Sequence, residues 1–88
     1  MLSCQYDQLP SLRWRKRGSI ISHDSTINPA AVNGSERFRA INKQQDRQYE
    51  LQILKTTEED LGLYVCEAQL NSITTETRFI LKLAGKIM

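Results

Sequence analysis

Two cysteines, one histidine and a run of arginines are the side chains in this sequence with chemistry to offer. Cys4 and Cys66 allow one disulfide, and whether it forms decides the compartment, because such bonds persist only in oxidising surroundings. His23 lies in a turn-rich stretch, with no cysteine or carboxylate cluster at metal-ligand spacing beside it. It reads as a loop residue, and neither a metal nor a cofactor is expected. No Ser–His–Asp order or working pair of carboxylates stands out, so the chain does not read as an enzyme. Arg13, Arg15 and Arg17 recur at every second position around Trp14 and share one face of a strand. They form either a solvated face partly paired with Glu67 or a cationic contact for an acidic partner or a sulfated glycan. Asn33-Gly34-Ser35 is an N-x-S sequon in a predicted loop, which makes Asn33 a glycosylation acceptor if the chain is secreted.

The elements that must carry these groups are short. Eighty-eight residues make one domain, here residues 1–84 with 85–88 as a linker or tail. A domain of this size buries only about 60–65% of its unfolded surface and gains much from a covalent staple. Hydrophobic residues make up 40% and charged residues 25%, with a net charge of +2. That charge is too small to argue for nucleic acid, and Trp14 is committed to the core rather than to stacking on bases. No run of 18 apolar residues is present, so no membrane span is expected. The start, "MLSCQYDQ", has no apolar segment of the signal-peptide kind.

Period-two alternation runs through the chain, and no helical period is sustained. Leu2, Cys4 and Tyr6 share a face, as do Leu12 and Trp14, Phe38 and Ala40, Tyr49, Leu51 and Ile53, Tyr64, Cys66 and Ala68, and Phe79, Leu81 and Leu83. Polar, turn-rich stretches such as "HDSTINPAAVNGS" and "NKQQDRQ" separate these runs. Only "TTEED" suggests helix, as a single turn. Many short strands between polar turns describe an all-β sandwich. Cysteines pointing inward from different strands can staple its two sheets, and closing that loop would stabilise by about 4 kcal/mol.

Cys4, Trp14, the Leu51–Ile53 segment and Asp60-x-Gly62-x-Tyr64-x-Cys66 together resemble the strand markers of immunoglobulin domains. The resemblance covers nearly the whole chain and implies an immunoglobulin-like, two-sheet Greek-key sandwich of strands B to G. It implies a Cys4–Cys66 disulfide beside Trp14, and a corner in which the Tyr64 hydroxyl returns to backbone. It also implies core places for Leu51 and Ile53, and a variable-type ion pair between Arg37 on strand D and Asp60. Cys4 stands almost at the beginning, so strand A is expected to be lacking. The last strand has no aromatic-Gly-x-Gly bulge, which argues against an antigen receptor. "YVCEAQLNSITTETRFILKL" and the basic "LRWRKRGSII" look more like first domains of neural surface receptors such as the Lachesis, amalgam, IgLON and Dpr/DIP groups.

By that resemblance the chain is an extracellular module, at the cell surface or secreted as part of a longer protein. It would bind another cell-surface protein, homophilically or heterophilically, through its G-F-C-C′ face. The outward residues there are expected to be Arg13, Arg15, Arg17, Ile20, Ile21, Val65, Glu67 and Gln69, with one of the two isoleucines turned out. Two rival readings share the fold. One is a structural link of a titin-type intracellular muscle protein, which works with its cysteines reduced. The other is sulfated-glycan binding through the arginines.

Overall fold

The computed structural model describes residues 2–8, 10–16, 18–32 and 34–82. Arg17, Asn33, Leu83 and the 85–88 tail, all given places in the sequence reading, lie outside the described residues. Among the described residues, eight strands form two antiparallel sheets. One sheet holds β1 (Leu2–Gln5), β6 (Gln48–Ile53) and β5 (Phe38–Lys43) in that order. The other runs β4 (Thr26–Ile27), β3 (Ser19–His23), β2 (Ser11–Lys16), β7 (Gly62–Leu70), β8 (Ile73–Leu81). The protein is an all-β sandwich.

The core is where the alternating residues of both sheets meet. Leu12, Trp14, Tyr49, Leu51, Tyr64, Ile21 and both cysteines are buried, together with Leu2, Tyr6, Phe38 and Ala40. Ile53, Ala68, Phe79 and Leu81 are partly buried and pack against them. Trp14 bridges the two sheets. Its ring stacks on Tyr49 of the smaller sheet with centroids 5.7 Å apart, and meets Phe79 of its own sheet at 5.6 Å and 55°. Such ring pairs contribute about 0.5–1.5 kcal/mol each beyond the area they bury. The Trp14 indole N–H finds no hydrogen-bond partner among the described residues. Tyr49, by contrast, is anchored through its hydroxyl, which donates to the Asp24 carbonyl and lies 2.9 Å from Ser22 Oγ.

Cys4 of β1 and Cys66 of β7 are disulfide-bonded, with α-carbons 6.6 Å apart across 62 residues of chain. The bond therefore ties one sheet to the other.

The turns have local causes. Asp24 and Asn71, at φ 52° and 59°, stand in the tight β3–β4 and β7–β8 turns, and these residue types tolerate the left-handed region. A 3-10 turn, Glu58–Asp60, leads into β7 and is closed by a capping box between Thr57 and Asp60. Gly62 follows at φ 127°, a conformation open to glycine and strained for any residue with a β-carbon.

One open alternative is decided here and one expectation is corrected. Ile21 does not face outward: it is 1% exposed and belongs to the core, while Ile20 is the outward residue at 39%. The cause is a register shift between Trp14 and Arg15, which places Ser22 opposite Trp14 and Ile20 opposite Arg15. Arg37 sits not on a strand but at the end of a 3-10 turn, Ser35–Arg37, immediately before β5.

Candidate functional site

The strand order decides what the outer face of the larger sheet displays. The β2, β3, β7 and β8 registers align outward residues into rows across the sheet. One row reads Ile20, Arg15, Val65, Arg78. The next, toward the β7–β8 turn, reads His23, Arg13, Glu67, Glu76. On the other side of the Val65 row, Leu63 pairs with Ile80. Leu63 and Ile80 are 43% and 65% exposed, and Val65 is half-buried between them and the charged row. The result is a small apolar centre with arginines and a glutamate around it. An open depression over it is lined by Arg15, Gly18, Leu63, Val65, Glu67, Glu76 and Arg78.

Glu67 governs the charge of this face. Its carboxylate contacts Arg13 Nη2 at 3.1 Å and Arg15 Nη1 at 2.8 Å. Both arginines lean over it, so its side chain is only 4% exposed although it stands on the solvent side of the sheet. That corrects the expectation of Glu67 as an accessible contact: the long arginine stems cover it. With one anion held between two cations, the trio keeps a single net positive charge. The cationic stripe read from Arg13 and Arg15 is thus half neutralised.

Of the residues assigned to this face from sequence, Arg13, Arg15, Ile20, Val65 and Gln69 stand on it, with Glu67 beneath the arginines. Ile21 does not, and Arg17 lies outside the described residues. Leu63, Ile80, Glu76 and Arg78 were not assigned to it. Their signal was available, since Leu63 alternates with Tyr64 and Ile80 with Phe79. What the sequence lacked was the pairing that brings β8 beside β7 in this register.

A second polar constellation lies at the end of the sandwich where β7 begins. Arg37 forks onto the Asp60 carboxylate, with Nη1–Oδ2 at 2.8 Å and Nη2–Oδ1 at 3.2 Å. Thr57 N–H donates to the same carboxylate at 2.8 Å. The Arg37 fork and these donors hold the Asp60 carboxyl below the usual carboxylate range, against the opposing pull of burial. Arg37 also reaches the carbonyls of Leu54 and Lys55 at 3.2 and 3.1 Å, so the turn before β5 is tied to the β6–β7 connection at three points. The Tyr64 hydroxyl donates to the Asp60 carbonyl at 2.5 Å. So Asp60 caps, Gly62 turns, Tyr64 returns, and Cys66 reaches the core. This cluster is structural, because its donors and acceptors are satisfied by one another.

Among the described residues no group of three or more His, Cys, Asp or Glu could hold an ion, and His23 stands exposed beside Asp24 with 3.9 Å between them. What the face can do is bury an apolar centre against another surface while its charged surround sets orientation.

The class of molecule is a small all-β sandwich stapled by one disulfide between its sheets, compatible with an immunoglobulin-like fold. Comparison with protein-family models and with curated proteins finds no match. No helix among the described residues is long and apolar enough to cross a membrane. The disulfide is consistent with an extracellular location.

Proposed function

We propose that this chain is a variable-type immunoglobulin-like recognition domain, extracellular, that binds a protein on a cell surface. The docking surface is the outer face of β8, β7, β2 and β3. Two features support the subtype: β3 and β4 extend the sheet beyond β2, and Arg37 pairs with Asp60. The observation that carries the function is the uncovered apolar group Leu63, Val65 and Ile80, surrounded by Arg15, Arg78 and Glu76. Apolar centres with polar rims are the anatomy of recognition interfaces. A sulfated glycan is served less well, because Glu67 occupies both Arg13 and Arg15. The disulfide favours the extracellular reading over a reduced, titin-type link.

The test is a binding screen of the tetramerised chain against cell-surface ectodomains, repeated with Val65→Asp. An uncompensated carboxylate at the centre of the face abolishes capture at every salt concentration. Thermal unfolding of the variant verifies that it folds. A folded Val65→Asp variant that still binds its partner excludes this face as the interface.

A further inference from the structure

Among the described residues, β8 has a strand on one side only. β7 pairs with it along its whole length, and no described strand pairs with its other edge. The strand is nine residues long, its register with β7 is unbroken, and it contains no proline, glycine or lysine. Of the devices by which sheets usually blunt an open edge it has only two charges, Glu76 and Arg78, and these are of opposite sign and contact each other. The other outer strands are shorter: four residues in β1, two in β4 and six in β5. Residues Ile73 to Arg78 are all exposed.

The hydrogen-bonding phase of that edge follows from the turn. Asn71 and Ser72 close the hairpin at the Leu70/Ile73 pair, which is then a hydrogen-bonded pair. By alternation, Ile73, Thr75, Thr77, Phe79 and Leu81 direct their peptide groups at β7. Thr74, Glu76, Arg78 and Ile80 direct theirs away from it.

We propose that β8 pairs with itself: two copies of this chain join their β8 edges, antiparallel, about a two-fold axis at Thr77. The two five-stranded sheets then become one continuous sheet. Three features of the strand agree on that axis. Antiparallel pairing about Thr77 sets Glu76 of each copy opposite Arg78 of the other, so both cross-strand charge pairs are attractive. Moving the axis to Glu76 or Arg78 would set a charge against its own copy. The same axis makes Glu76/Arg78 and Thr74/Ile80 the hydrogen-bonded pairs, which are the positions whose peptide groups point outward. It also sets Thr77 against Thr77 in the closer, non-hydrogen-bonded position, where threonine side chains pair well. Glu76 and Arg78 already contact each other within the chain at 3.1 Å. In the pair of copies, these four charges alternate in sign around the axis.

Sedimentation of the purified chain across a wide concentration range tests this. The chain is expected to form a dimer. Glu76→Arg and Arg78→Glu each turn two attractive pairs into repulsive ones and weaken the dimer about tenfold or more. An equal mixture of these two variants restores it, because one copy then carries arginine at both positions and faces glutamate at both positions of the other. Amide exchange at Thr74, Glu76, Arg78 and Ile80 slows as concentration rises. A chain that stays monomeric throughout overturns the proposal, as does a dimer indifferent to either reversal. Protection of those amides at every concentration also overturns it, because the edge is then covered by a segment of the same chain. The readout is the association of this chain alone, so it is decided separately from partner capture through Val65.

Discussion

Replacing Asp60 with asparagine keeps the side chain's shape and removes its charge. The wild-type carboxylate accepts both Arg37 Nη atoms and the Thr57 N–H, and the residue is 4% exposed. Asparagine turns one of those acceptors into a donor aimed at donors, and leaves Arg37 without its counter-charge. Breaking a buried ion pair costs roughly 3–5 kcal/mol, and the low end applies because the guanidinium reaches solvent at 15% exposure. A loss of about 3 kcal/mol is a large fraction of the stability of so small a domain. With a urea slope on the order of 1 kcal/mol/M at this size, the midpoint at neutral pH should fall by about 3 M. The pH dependence follows from the direction of the shift. Asp60 has a lowered folded pKa, so its stabilisation is complete above the unfolded carboxyl value of about 3.9 and is lost as pH falls through the folded value. Wild type should thus weaken toward acid more steeply than Asp60→Asn. Equal midpoints at neutral pH, or parallel acid limbs, would refute the assignment of Asp60 as the residue that joins these loops.

Two further outcomes are expected. Tyr49 is buried, and desolvation pushes its hydroxyl up to about 12. A raised folded pKa gives stability that is complete below the unfolded value of about 10 and is lost between there and about pH 12. The loss is about 2 kcal/mol after allowance for screening, and alkaline unfolding of Tyr49→Phe should lack that component. Reducing the Cys4–Cys66 bond should remove about 4 kcal/mol by freeing the loop it closes. A thermal midpoint unchanged on full reduction would show that the two sheets hold together without it.

Much of the sandwich was legible because strand chemistry is local. Side chains on a strand alternate faces, so Trp14, Tyr49, Leu51, Tyr64 and Cys66 announce their burial by position alone. Gly62 and the capping Asp60 likewise act within a few residues of Tyr64, and a spacing is enough to reveal them. The candidate face depended on relations that no local pattern holds. Which isoleucine turns outward was decided by a register shift between β2 and β3, a property of the pair of strands and not of either one. Glu67 was legible both as a partner of the arginines and as an accessible contact, and only the placing of Arg13 and Arg15 over it by β2 decided for the first. Leu63 and Ile80 became one apolar centre only when β8 lay beside β7, and β8 became an open edge only through its place in the strand order. Alternation, turn chemistry and the spacing of the corner are short-range, and the sequence by itself determined them. Pairing, register and edge are contacts between segments distant along the chain, and only the tertiary structure decided those.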